Sequence, residues 1–310
     1  MAANYWVSTQ KKHWLLDRWS LTQSREEDLK YLSEVDYIKI KIWFCHLIQK
    51  LAKRLQLKQQ VVATAFVYFK RFYTKNSLRM TDPLLVLVTC VYLATKIEEC
   101  PVHIKMVTQE ARHVFQADFG GFPYDSLKVA EFEFYLLEEL EFYLIVWHPY
   151  RPLTQICQEL GMKEQGLQFA WFIVNDAFRT DVCLLHPPHM IALAALYLTV
   201  VLNHADFAPG SLGDRTDMRQ WFADLNVQIE TVVEISQEIL SIYQVWADWK
   251  EEKMLAMWKD FKSKPSSSSS TAPSSTATSS QHGTAKHTTT GAPAVSSSTS
   301  SSSSSSANAS

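Results

Sequence analysis

Glycine is scarce in this chain, with 8 in 310 residues and none before Gly120. Gly-rich phosphate loops and dinucleotide fingerprints place glycines between a strand and a helix, so the first third of the sequence supplies neither. A basic excess is also missing. The formal net charge of −2 leaves no stripe of Lys and Arg for nucleic acid, and direct nucleic-acid binding is not expected. The first residues, MAANYWVSTQKKHW, hold no continuous apolar core, so no secretory leader is expected. The longest apolar run, residues 190–202, is too short for the roughly 30 Å core of a bilayer and reads as a buried helix rather than a membrane span. Cys45, Cys90, Cys100, Cys157 and Cys183 include no CxxC pair, and most sit inside apolar runs. They read as small core residues of a reducing, intracellular compartment. Alternating strand patterns bounded by turn residues are absent too, which leaves an all-α reading.

What is present is helical periodicity. With 47% hydrophobic residues, the chain can build substantial cores. The stretch that organises the rest is residues 82–99, DPLLVLVTCVYLATKIEE. Asp82 reads as an N-cap and Pro83 as the first helical residue. Nearly every side chain up to Ala94 is apolar, so this helix has to be covered on all sides, like the central rod of a bundle. Lys96, Glu98 and Glu99 then follow without a break, before Pro101 closes the segment. A buried rod ending in charges presents them in a fixed position, suited to gripping another protein.

Around this rod the pattern predicts a helix over residues 9–20, with His13 and Asp17 on one face, in a segment that also holds Trp6, Trp14 and Trp19. Ser33 is expected to cap a long amphipathic helix, SEVDYIKIKIWFCHLIQKLAKRLQL, with Lys39, Lys50, Lys53 and Arg54 on the wet side. The next, QQVVATAFVYFKRFYTK, leaves Lys70 and Arg71 near its end, where cations suit the helix dipole. A shorter helix near 104–115 follows, then YDSLKVAEFEFYLLEELEFYLIV, read as the fifth of a bundle. That last helix is acid-rich, and Glu133 lies at the margin of its apolar face. HPYRP, residues 148–152, reads as a linker because two prolines break the helical pattern.

Beyond the linker the same order of elements returns. Pro83, Tyr92, Leu93 and Lys96 have counterparts at equal offsets in Pro188, Tyr197, Leu198 and Val201. The element is duplicated but its terminal charge is not. A structural role should persist in both halves, whereas a binding role need occur once, so the first half is the expected docking surface. In the second half Trp171, Asn175 and Arg179 fall on one helix stripe, with Asp176 and Asp181 close by. With Trp6 they are candidates for a second partner groove; packing between the halves is the equal alternative. His186 and His189 flank two prolines and do not share a helical turn, and no Ser, Cys or Lys constellation suggests catalysis. No cofactor, metal or enzymatic activity is expected. After residue 262 a Ser, Thr, Ala and Pro tract lacks the apolar content to order and reads as a disordered tail.

A duplicated five-helix bundle with LATKIEE ending its third helix resembles the cyclin family, over roughly residues 30–246. The opening NYW with HWLLD, the junction HPYRP and the segment FAWFIVNDAFRTDVCLLHPPHMIALA resemble its transcription-type branch, that of the Mediator kinase module. The resemblance implies an N-terminal segment over 1–30, cyclin boxes over 31–147 and 153–247 joined by 148–152, a C-terminal helix over 248–262 and the tail over 263–310. It implies a nuclear regulatory subunit that forms a heterodimer with a cyclin-dependent kinase. Lys96 and Glu133 match the lysine and glutamate with which the family binds the kinase's regulatory helix. Glu98 and Glu99 are further candidates, through the arginines that hold a phosphorylated activation loop in other kinases. Other Mediator kinase-module subunits are expected partners. A cyclin H-like or elongation-factor-like member with another kinase is the alternative. The duplicated core of general transcription factor B is set aside, because neither a zinc ribbon nor a basic surface is visible. The first long helix departs from the substrate-docking motif of cell-cycle cyclins, so RxL-type recruitment is not expected.

Overall fold

The structure, a computed structural model, describes residues 4–202, 218–247 and 249–264, and among these there is no strand. The expected tail over 263–310 lies outside the described residues except for Ser263 and Lys264. A 3₁₀ turn, Tyr5–Val7, leads into three short helices, α1 (Thr9–His13), α2 (Arg18–Gln23) and α3 (Glu26–Leu29). The first half follows as α4 (Glu34–Arg54), α5 (Gln59–Phe72), α6 (Pro83–Ile97), α7 (Ile104–Val114), α8 (Gln116–Phe119) and α9 (Ser126–Glu139). The second comprises α10 (Tyr150–Glu159), α11 (Glu164–Ala177), α12 (Val182–Leu185), α13 (Pro188–Leu202), α14 (Met218–Asp224) and α15 (Ile229–Ala247), before the C-terminal α16 (Glu251–Ser263).

Helix α6 is the rod that the sequence predicts. The Asp82 carboxylate accepts from Leu84 N–H at 2.9 Å and from the Tyr124 hydroxyl at 2.6 Å, which fixes the start of α6 against the approach to α9. From Pro83 to Val91 every side chain is buried, and α4, α5, α7 and α9 pack around it. Each of its buried Leu and Val side chains contributes about 1.5–3 kcal/mol by leaving water. Helix α13 repeats the role among α10, α11, α12 and α15. It too has 15 residues and starts at proline. Four of the cysteines are buried and Cys100 partly so, and none is bonded to another.

Three local expectations are corrected. The predicted helix over 9–20 breaks after His13, because Asp17 caps a new one by accepting from Ser20 N–H at 2.7 Å. The predicted fifth helix stops at Glu139. Glu141 and Phe142 take left-handed φ values of 52° and 58°, turning the chain away with no glycine to announce the stop. Helix α10 begins inside the predicted linker at Tyr150; Pro152 is tolerated there because first-turn amides lack intrahelical acceptors anyway. Lys70 and Arg71 do sit in the last turn of α5, as expected, yet each is only 1% exposed. Lys70 donates to the Arg179 carbonyl at 3.2 Å, and Arg71 donates to the Tyr143 carbonyl at 3.0 Å while stacking over Trp14.

The chain ends of this unit are clasped onto the first half. Asp28, buried, accepts from Ser77 Oγ and from the amides of Leu78 and Arg79. That loop in turn holds α16: Lys262 Nζ donates to the carbonyls of Leu78, Arg79 and Thr81 at 2.8–3.0 Å, and Arg79 donates to Phe261 O. Trp258 meets Phe44 edge to face at 5.1 Å.

Candidate functional site: the end of helix α6

Lys96 leaves the last turn of α6 and forms an ion pair with Glu133 of α9. Its ammonium also lies 4.7 Å from the centre of the Tyr92 ring, one turn back. The Lys96 side chain is 39% exposed and that of Glu133 12%. The two are thus set in the wall where α6 packs against α9, with edges open to a partner. A Lys ammonium has three donors and a carboxylate two oxygens, so the internal contact orients both groups without exhausting either.

Glu99 follows with a φ of 51°, exposed, and its carboxylate has no partner among the described residues. Left-handed backbone at a non-glycine residue is a small strain that aims this side chain outward at the end of the rod. Glu98 faces the other way. Its carboxylate accepts from Thr64 Oγ at 2.5 Å and from Gln60 Nε2 at 2.6 Å, and lies 3.7 Å from His148 Nε2. Burial alone would push its carboxyl up, but the nearby His148 imidazole and the hydrogen bonds from Thr64 and Gln60 outweigh this and hold it below the usual carboxylate range. Of the four candidate contact residues, Lys96 and Glu99 are exposed, Glu133 is buried against Lys96, and Glu98 ties α5 and α6 to the start of the second half.

His148 completes that tie. The Thr64 hydroxyl has one hydrogen, given to Glu98, so His148 Nε2 donates to Thr64 across 2.7 Å and the buried Nδ1 is left with no partner. Burial pushes the imidazole below its ordinary value, with Glu98 pulling the other way. The folded state therefore takes up this proton at lower pH than the unfolded chain does, and stability falls as pH drops below about 6.5. Thermal melts between pH 7.5 and about 5.5 should show this decline in the wild type and a shallower one in His148→Gln, by up to roughly 1 kcal/mol per pH unit. His46, His186 and His189, also depressed by burial, supply the remaining slope. Equal slopes in the two proteins would show that His148 is not buried neutral.

The second group of candidates does not form one network. Trp171 stacks on Tyr150 with ring centres 4.4 Å apart, and the Tyr150 hydroxyl donates to Asn175 Oδ1 at 2.9 Å. Arg179 turns to Gln49, to Asp176 and over the Trp246 ring. Trp6 is 59% exposed and rests on His189, 5.4 Å between centres. Among the described residues no hydrogen bond or ring contact joins Trp6 to the other three. Stripe periodicity does not reveal an exposed apolar set on and just after α9. Leu127 and Phe134 of α9, with Phe142 and Ile145 just after it, are all more than 60% exposed. Nothing in the sequence marks them, because each fits the apolar pattern of a buried helix. Among the described residues no group of His, Cys, Asp and Glu could hold a metal ion.

Comparison with known proteins agrees with this architecture. The family model for the cyclin N-terminal domain matches residues 18–145, and that for the cyclin C-terminal domain matches 148–246. A Cyclin-C of Drosophila melanogaster is 44% identical over 263 residues, covering 83% of this chain and 95% of that protein. An RNA polymerase II holoenzyme cyclin-like subunit of Aspergillus fumigatus is 40% identical over 288 residues, covering 81% and 94%. Among solved structures, a chain of the CAK complex from Chaetomium thermophilum superposes with a TM-score of 0.62 at 19% identity, covering 83% of this chain and 87% of that one, and so shares the fold. Two bundles in tandem, an unduplicated charged rod end and matches across both halves lead to one conclusion: the chain belongs to the cyclin family.

Proposed function

We infer that this chain is the regulatory subunit of a cyclin-dependent kinase working in RNA polymerase II transcription, and that it activates its partner by binding rather than by chemistry. The observation that carries the reading is the Lys96–Glu133 pair, held at one edge of the first half with exposed Phe134 and Phe142 on the same helix and its exit. A kinase is active only when its strand lysine pairs with the glutamate of its regulatory helix, so a partner that binds only the inward position of that helix shifts the population toward activity. Moving it from 1:99 to 99:1 takes about 5.5 kcal/mol of differential binding. Two charge-assisted hydrogen bonds at about 1.5–3 kcal/mol each, with apolar contacts around them, are of that size. Glu99, exposed and without a partner among the described residues, is read as the carboxylate that meets an arginine of the kinase near its activation loop.

The relatives called Cyclin-C and the holoenzyme subunit of Aspergillus support a transcription role in the nucleus and a kinase of the Mediator kinase module. Trp6 and the Trp171–Asn175 edge are the surfaces read as open to further subunits of that module. The test is to tag the protein, purify it from its own cells at moderate salt and identify stoichiometric partners. Recovery of a Mediator-associated kinase is expected. Recovery of a different transcription kinase would move the chain to another branch of the family, and recovery of no kinase would sink the proposal.

A further inference from the structure

A cavity of about 370 Å³ lies where the N-terminal helices meet both halves. Cations from three parts of the chain line it: Arg18 and Arg25 around α2, Lys41 of α4, and Arg179 after α11. Asp181, also on its wall, is the carboxylate that answers Arg25, Lys41 and Lys70, with Lys41 Nζ at 2.6 Å and Lys70 Nζ at 3.6 Å. Those three cations are 8%, 6% and 1% exposed. One carboxylate thus serves three buried positive charges, an imbalance that a poorly solvated interior makes costly. The other acids of the wall do not redress it: Glu238 accepts from Arg18 at 3.0 Å, and Glu34 lies exposed in the first turn of α4. In addition, Arg25 Nε is buried and has no hydrogen-bond partner. A guanidinium and an ammonium on the wall that share one carboxylate with a third buried cation are a donor set for an oxyanion.

We propose that this cavity binds the oxyanion of a phosphate group, held by Arg25 and Lys41 with Arg179 at its side. An anion seated there joins the N-terminal segment, the first half and the second half, and stiffens their junction. The cavity is larger than one phosphate, and Leu21, Ile42 and Leu185 give it an apolar wall, so an ester bearing a short stem fits as well as the free ion.

The test is a thermal melt of the full chain at neutral pH and constant ionic strength, titrated with sodium phosphate against sodium chloride, and separately with O-phosphoserine. A saturable rise of about 3–5 °C at some tenfold above half-saturation is expected. Arg25→Gln should lose it, and Arg25→Lys, which keeps a charge beside Asp181 but not the planar fork, should weaken the affinity by about tenfold. Lys53→Gln, on the exposed face of α4, should leave the rise intact. Saturation by phosphoserine at equal or lower concentration identifies esterified side chains as the source; saturation by inorganic phosphate alone identifies the free ion. A rise no larger than that with chloride, or one unchanged in both Arg25 variants, overturns the proposal.

Discussion

Exchanging two charges, Lys96→Glu together with Glu133→Lys, is expected to weaken kinase binding by about 10²–10⁴-fold while shifting the melting temperature of the free chain by only about 2 °C. The exchange preserves an attractive pair between α6 and α9, so the wall of the first half stays closed. Only the contact of the Lys96 ammonium with the Tyr92 ring is lost, about 0.5–1 kcal/mol at an exposed site. On the proposed interface, however, the kinase helix meets a carboxylate in place of an ammonium, and the reverse. Losing two charge-assisted hydrogen bonds at about 1.5–3 kcal/mol each sets the binding range. Either single reversal is a poorer probe, because it puts like charges side by side and lowers stability and binding together. Titration calorimetry with the purified kinase, next to a melt of each free protein, separates the two effects. Undiminished affinity in the doubly exchanged protein would remove Lys96 and Glu133 from the interface even with the family intact.

These two residues were legible because short-range signals place them. An N-cap, a proline and an apolar run fix the start, span and end of α6, and the three-and-four spacing puts Glu133 at the margin of α9. Comparison of the halves then singles out Lys96, since its counterpart Val201 is exposed and uncharged. The inward turn of Glu98 was not legible. It depends on Thr64 and His148, residues distant in sequence that only the tertiary fold brings to it. The burial of Lys41 and Lys70 was not legible for a related reason. Periodicity treats a lysine as wet, and nothing local reveals that a carboxylate from the second half will meet both. The end of α9 was hidden differently: Glu141 and Phe142 adopt left-handed backbone that sequence reasoning assigns to glycine or asparagine.

The largest stability effect is expected at Asp181, where Asp181→Asn should cost about 3–5 kcal/mol and lower the melting temperature by on the order of 10 °C. The change is nearly isosteric, so the loss measures charge rather than packing. It leaves Arg25, Lys41 and Lys70 buried without their shared anion. The surrounding cations hold the Asp181 carboxyl well below the usual carboxylate range, against burial that would raise it. Even with this anion present, burial brings the Lys41 ammonium down to about 8. Since the unfolded value is near 10.4, the unfolded chain binds the extra proton between these limits and wild-type stability gains from Lys41 as pH rises above about 8. Without Asp181 the folded value drops further and the gain starts at lower pH. The variant should therefore recover part of its loss between pH 7 and 9, where the wild type changes less. Adding Lys41→Met should recover more at pH 7 itself, because an apolar stem needs no counter-charge. A variant that melts within about 3 °C of the wild type, with no steeper rise on the alkaline side, would mean that water rather than Asp181 solvates these cations.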